Sequence, residues 1–214
     1  MKIGVLGTGL VGNTIATKLA ALGHEVKMGA RSATNDKAAA WARSTGGRAA
    51  AGTFADAAAF GEIVFNCTNG AGTMSALDAA GDANLRDKIL IDVSNPLDFS
   101  RGMPPTLLIA NTDSLGEQVQ RTHPDAKVVK ALNTMNCNVM VNPGLVKEEH
   151  DAFICGNDPD AKARVTELLR SFGWKHVVDA GDISAARGLE MLLVLWARLF
   201  GAMQTPTFNF HVAR

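Results

Sequence analysis

The chain has 214 residues, 47% of them hydrophobic, with 21 Lys plus Arg against 21 Asp plus Glu. That balance excludes a global field for nucleic acid or an anionic membrane, and the length suits one domain or one and a half around a sizeable core. Cys67, Cys137 and Cys155 show no C-x-x-C spacing, and MKIGVLG runs straight into a glycine motif with no signal-peptide pattern. Together these features predict a reducing, cytoplasmic setting.

Apolar β-rich runs alternate with helical patterns, the order of a sheet built from βαβ units. The first strand is expected at Lys2–Leu6. A helix follows from about Leu10, with Val11, Ile15, Leu19 and Leu22 on one face and Gly23 as its stop. Then come a strand at Glu25–Met28, an alanine-rich helix at Asp36–Thr45, a short strand near Arg48–Ala51, and Thr53 as the N-cap of the next helical turn. Further strands are expected at Glu62–Cys67, Lys88–Val93 and Lys127–Leu132. Two shorter ones, Ala152–Cys155 and His176–Val178, read as a second small layer of pairing, with a helix at Asp158–Phe172 between them. The terminal helix, Arg187–Met203, is apolar on nearly all sides. Its apolar stretch from Leu189 carries Glu190 and Arg198 and is shorter than the ~20 residues a membrane-spanning helix needs. Burial on more than one face is therefore expected, and a homodimer packed through this helix is preferred to burial within one chain. Trp196 and Phe200, one turn apart, would share the interface. The fold class is α/β, a Rossmann-type doubly wound, mainly parallel sheet over residues 1–145 with a small C-terminal strand and helix extension over 146–214.

Gly7, Gly9 and Gly12 follow the first strand in the spacing G-x-G-x-x-G, and a helix begins inside the motif, the context a dinucleotide site requires. Gly7 permits the tight turn, Gly9 lets a pyrophosphate approach the backbone, and Gly12 allows close packing of helix on strand. With Thr8 in the turn, the N–H groups of Leu10, Val11 and Gly12 are helix-terminal donors for an anion. About twenty residues past such a motif an NAD site places an acid on the ribose hydroxyls. Here Arg31 and Ser32 stand in that slot, with Lys37 one helical turn further on. A guanidinium matches a 2′-phosphate in bidentate geometry, so the expected cofactor is NADP(H).

On these residues the chain resembles the deazaflavin-dependent NADP reductase family of single-Rossmann oxidoreductases. The matching stretches are GTGLVG at 7–12, the LGHEV and GARS segments within 22–32, KILIDVSNPL at 88–97, AKVVKALNT at 126–134, ICGND at 154–158 and VDAGDISAARGLE at 178–190. The resemblance implies hydride transfer between NADP(H) and coenzyme F-420. A related branch, the reductase portion of the six-transmembrane metalloreductases, carries similar DVSNP and VVKA-N segments and implies electron transfer from NADPH to a flavin; no stretch here resembles that branch's membrane part. After the strand at 62–67 the deazaflavin reductases tend to carry a Pro–Trp-type segment, whereas this chain reads Thr68–Asn69–Gly70. The acceptor is accordingly left open between F-420 and FMN or FAD.

In a doubly wound sheet the ligand lies across the carboxyl ends of the strands. Those ends supply Cys67, Thr68 and Asn69, Ser94 and Asn95, and Ala131 and Asn133, small groups suited to the nicotinamide carboxamide and its ribose. Ring-to-ring hydride transfer asks for alignment more than for an acid or base, and no catalytic dyad stands out. His24 and His123 read as turn residues, Cys137 as a buried small residue, and no His, Cys or carboxylate cluster has metal spacing. An NADP-dependent dehydrogenase of a small hydroxy or imino acid, with Lys130 or His211 as proton donor, is the competing reading; it would call for a larger helical C-terminal domain. A nonenzymatic NADP-sensing module is the third.

Overall fold

The structure, a computed structural model, describes residues 1–213. Its strands and helices run β1 (Lys2–Leu6), α1 (Leu10–Ala21), β2 (Glu25–Ala30), α2 (Asp36–Thr45), β3 (Ala49–Thr53), α3 (Phe54–Phe60) and β4 (Ile63–Asn66). They continue with α4 (Thr73–Ala80), α5 (Asp82–Leu85), β5 (Ile89–Asp92), β6 (Leu97–Asp98), β7 (Thr106–Leu107), α6 (Leu115–Thr122) and β8 (Lys127–Ala131). The chain ends with α7 (Cys137–Val141), β9 (Asp151–Gly156), α8 (Pro159–Phe172), β10 (His176–Asp179) and α9 (Ala186–Met203).

Eight strands form one sheet in the order β10-β9-β8-β5-β4-β1-β2-β3, parallel throughout except for the antiparallel pair β8–β9. Strand alternation divides the core in two. Ile3 and Val5, Ile63 and Phe65, Ile89 and Ile91, and Val129 and Ala131 face α1, α2, α7 and α8. Leu6, Val64, Leu90 and Val128 face α3, α4, α6 and α9. Both faces are covered, which is why the central strands are almost continuously apolar.

Local signals set the helix ends. Gly23 takes φ 87 where α1 stops, a left-handed turn that side chains resist. Thr53 opens α3 with a capping box: its hydroxyl accepts from Asp56 N at 3.1 Å, while Asp56 accepts from Thr53 N at 2.8 Å. Leu22, expected on the buried face of α1, is instead 39% exposed, because it is the C-cap residue and points past the last turn.

The expected second layer of pairing does not form. β9 and β10 extend the same sheet, with Lys130 opposite Cys155 and Val178 opposite Phe153. The edge of β8 supplies hydrogen-bond partners that two isolated short strands would lack. The small separate sheet is a hairpin of β6 and β7, with Leu97 opposite Leu107. In α9, Trp196 stacks on Phe200 at 5.5 Å and on Phe208 of the C-terminal tail at 5.2 Å. Much of the face expected at an interface is thus covered by the chain's own tail, while Leu195 remains 50% exposed.

Candidate functional site

The strand order reverses between β1 and β4, and open α/β sheets take ligands in the crevice outside the carboxyl ends at such a point. Gly7 sits there at φ 118, and a Cβ on it would stand 2.7 Å from the Cys67 carbonyl oxygen. A Cβ on Gly12 would lie 2.1 Å from the Gly7 carbonyl oxygen. Packing therefore requires both glycines. Gly9 is different: a Cβ there would meet nothing within 4 Å. The space above Gly9 is open to a ligand and fits a pyrophosphate lying against the backbone. As the N-cap of α1, Gly9 supplies no side-chain acceptor, and the first turn holds no acid. The N–H groups of Leu10, Val11 and Gly12 point out of a helix end that carries partial positive charge. Thr8 lies beside them on the cavity wall.

A cavity of about 350 Å³ runs from Gly7 and Gly9 to Ala30, Arg31, Asn35 and Phe54. Arg31 is exposed at the end of β2 and forms no ion pair among the described residues. Ser32 is exposed and is not on the cavity wall, its hydroxyl 2.8 Å from that of Thr34. Lys37 is exposed on α2 and is not on the cavity wall. Asn35, Phe54, Gly72 and Ala76 of the wall escaped the sequence reading. Asn35 caps α2 by accepting from Ala38 N at 3.0 Å; Phe54 turns into the wall because the Thr53 cap starts α3 there. The Thr53 cap was visible in the sequence, the facing of Phe54 was not.

A second cavity of about 200 Å³ shares Cys67, Thr68 and Asn69 with the first and continues to Val93, Ser94, Asn95 and Phe99. The two form one groove across the switch point. Thr68 donates to Asn66 Oδ1 at 2.7 Å, Asn66 to Asp92 Oδ1 at 2.8 Å, and Ser94 Oγ to the same oxygen at 2.6 Å. Asn69 Oδ1 accepts from Gly72 N at 2.9 Å, holding the turn before α4. Asn95 and Asn133 form a reciprocal pair: Asn95 Nδ2 donates to Asn133 O and Asn133 Nδ2 to Asn95 Oδ1, both at 2.9 Å. Leu132, just before, takes φ 63, a strained value for a branched side chain that surrounding structure must enforce.

Other candidate residues lie elsewhere. Ala131 is 0% exposed in the core facing α1, α7 and α8, so it does not line the groove. Burial, with the Asp92 carboxylate, pushes the Cys67 thiol far above its ordinary range, which leaves it neutral and unreactive. Lys130 is fully buried on the opposite face, its Nζ 2.7 Å from Asp92 Oδ2, 2.8 Å from Glu190 Oε1 and 2.6 Å from the Ser94 carbonyl oxygen. Burial opposes its charge, but Asp92 and Glu190 outweigh that and hold its pKa above the usual value. It presents no proton to a substrate in the groove. His211 packs at the start of β9, Nδ1 3.3 Å from Asp151 Oδ2, away from the groove walls. His24 sits half-buried in the turn after α1, its pKa lowered by burial, and His123 is buried against Asp82 at 2.6 Å. Glu190, read only as an acid in an apolar helix, accepts from Leu115 N and Gly116 N at 2.9 Å each, capping α6. A buried acid amid apolar residues was the available signal.

Residues 2–96 match the family described as NADP oxidoreductase, coenzyme F420-dependent. A solved structure of a candidate F420-dependent NADP reductase from Arthrobacter sp. FB24 is 54% identical, with both chains covered completely, at a TM-score of 0.95. The F420-dependent NADP reductase of Methanothermobacter marburgensis is 29% identical over 209 residues, 93% of this chain and 92% of that one. The metalloreductase STEAP3 of Rattus norvegicus is 29% identical over 206 residues, 96% of this chain. The chain spans only 38% of that metalloreductase's length, and among the described residues no helix is long and apolar enough to cross a membrane. Imine reductases, such as one from Streptomyces aurantiacus at 17% identity and a TM-score of 0.67, share the fold. With its glycine turn, its unpaired arginine and this full-length match, the chain belongs to the coenzyme F420-dependent NADP oxidoreductase family and is related to the reductase portion of the metalloreductases.

Proposed function

We propose that the chain moves a hydride between NADP(H) and a flavin-like ring, either coenzyme F-420 or FMN or FAD. One observation carries the reading: a single groove runs from an unpaired guanidinium, past an open helix terminus, to a wall of small polar groups that presents no acid or base. Arg31, with the exposed Ser32 next in the chain, would take the 2′-phosphate, and Phe54 would offer a flat wall to the adenine. The N–H groups of Leu10, Val11 and Gly12, with Thr8, would hold the pyrophosphate. Lys37, outside the wall, would contribute only long-range charge. Cys67, Thr68, Asn69, Ser94 and Asn95 would orient the nicotinamide end, with Asn133 fixing Asn95 from behind. NADP(H), when bound, supplies or accepts the hydride. The protein's part is alignment and exclusion of water, which can account for many powers of ten without a proton donor.

We also propose that residues 1–145 form the cofactor-binding unit, with 146–214 completing it, and that the chain pairs as a homodimer through the strip of α9 bearing Leu195, 50% exposed, and Met191, 38% exposed. Light scattering at micromolar concentration tests the pairing; a monomer there would end it. The principal test is rapid mixing of NADPH, deuterated at the transferred position, with F-420 and separately with FMN. Acceptor reduction with a primary isotope effect supports the reading and names the acceptor. No reduction of either ring would sink it.

A further inference from the structure

Beneath the nicotinamide end lies a charge cluster larger than packing calls for. Lys130, Asp92 and Glu190 are each 1% exposed or less. One cation meets two carboxylates, and the excess negative charge is met by the Leu115 and Gly116 N–H groups at the start of α6. Buried ionic triads are often no more stable than apolar side chains of similar volume, so stability alone is a poor account of this one.

What apolar residues could not do is hold a carbonyl. Lys130 Nζ donates to the Ser94 carbonyl oxygen at 2.6 Å, while Ser94 N and Oγ both donate to Asp92 Oδ1, at 3.1 and 2.6 Å. Residue 94 is thus fixed at its N–H, hydroxyl and carbonyl by two members of the triad. The next residue, Asn95, is held by Asn133, whose Nδ2 also reaches the Leu189 carbonyl oxygen at 3.2 Å. Leu189 and Glu190 are neighbours on α9. That helix therefore reaches the groove floor twice, once through a backbone carbonyl and once through a carboxylate.

We propose that Lys130 and Glu190 are positioning residues that hold the Ser94–Asn95 peptide in register with the nicotinamide ring, and that they make α9 part of the site. The proposal rests on the groove being an NADP(H) site. A misplacement of about 1 Å is worth about 10²-fold in rate, and these contacts resist a displacement on that scale. Lys130 acts through Ser94, and Glu190 through Lys130.

The test uses the full chain and two ligands. 2′,5′-ADP carries the adenosine and 2′-phosphate but no nicotinamide; NADPH carries both ends. In Glu190→Gln the affinity for 2′,5′-ADP is expected to stay within about twofold of wild type. NADPH fluorescence in the complex should change and turnover with FMN or F-420 should fall about 10²-fold. Equal losses for both ligands, or none for either, would overturn the proposal. If Glu190→Gln does not fold, a charge-neutral variant carrying Asp92→Asn, Lys130→Met and Glu190→Gln keeps the volume while removing the donor to Ser94 O. Wild-type NADPH fluorescence and turnover in that variant would equally overturn it. The ligand split is read without any acceptor, so failure to find an acceptor leaves it standing. Wild-type protein binding neither 2′,5′-ADP nor NADPH would remove the site reading and the positioning role together.

Discussion

The two ends of the groove are built by opposite means. The end at Arg31 is assembled mostly at the surface: Arg31, Ser32 and Thr34 are exposed, Asn35 is half-buried and caps α2, and Phe54 of α3 is buried behind them. The end at Ser94 is assembled from buried groups on four elements, and its hydrogen bonds join Asn66, Asp92, Lys130, Asn133 and Glu190. An exposed charge can select a ligand because water pays little to leave it free, and it costs little fold stability to alter. A buried network fixes positions to tenths of an ångström and fails as a unit when one member is lost. On the proposed function, selection and alignment lie at separate ends and should be separable by substitution.

The largest effect is expected from breaking the buried end. Lys130→Met leaves two carboxylates facing each other without a cation, and removing one partner of such a pair costs about 3–5 kcal/mol. For a chain of this size that is a fall on the order of 10 °C in melting temperature. Thermal unfolding followed by circular dichroism measures it. A melting temperature within 2 °C of wild type, by contrast with that ~10 °C expectation, would mean the network tolerates loss of its centre.

Next comes the exposed end. Arg31→Ala should weaken NADPH by about 1.5–3 kcal/mol, the worth of a hydrogen bond to a charged group, and leave NADH affinity and melting temperature nearly unchanged. Titration of both cofactors against both proteins decides the matter. Equal losses for NADPH and NADH would make Arg31 general scaffolding and dissolve the contrast between the two ends.

The same contrast explains what could be read in advance. The exposed end rests on signals that are each local: the glycine spacing, the end of β2 and the Thr53 cap are each read within a few residues, and each has a known geometric consequence. The buried end joins residues far apart, 38 positions between Asp92 and Lys130 and 75 between Leu115 and Glu190. No spacing rule reaches across such distances. Lys130 could be placed on a strand, but whether it faced the groove or the core depended on register, and the same held for Ala131. β9 and β10 were recognised as strands, yet their place in the sheet depended on the free edge of β8. The two-residue strands β6 and β7 carry too few residues for alternation to register at all.

A smaller effect should come from Thr53, which starts α3 and so sets the Phe54 wall. Thr53→Ala removes the N-cap and is expected to cost about 1 kcal/mol, with a modest loss of affinity for 2′,5′-ADP. Nicotinamide fluorescence in bound NADPH should be unaffected, since nothing at the Ser94 end touches this cap. A change in that fluorescence would show the two ends to be coupled through β3 and β2, against the separation argued above.

The smallest effect is a dependence on acid at the seam between α6 and α9, the two helices that Glu190 also joins. Arg187 Nε donates to Glu117 Oε2 at 2.8 Å, and that bond, aided by Ser114 and opposed by burial, holds the Glu117 carboxyl below the usual glutamate range. A carboxyl whose folded pKa is depressed stabilises the fold at all pH values above its unfolded pKa, and loses that contribution as pH falls through the folded value. Arg187 is 38% exposed, so water screens the pair and the contribution is small. Urea unfolding of wild type and Glu117→Gln should therefore give midpoints that differ at pH 7 and converge as the pH drops below the ordinary glutamate range, about 4.3. Asp113, held low chiefly by Arg121, titrates in both proteins and opposes the Glu117 charge only as a minor influence. A gap that stays constant down to pH 3, well under that ~4.3 reference, would mean that Glu117 acts through its shape and its bond to Ser114 and not through its charge. The ionic tie between α6 and α9 would then rest on Glu190, beside the apolar packing of Leu115 and Val119 on Ala186 and Leu189.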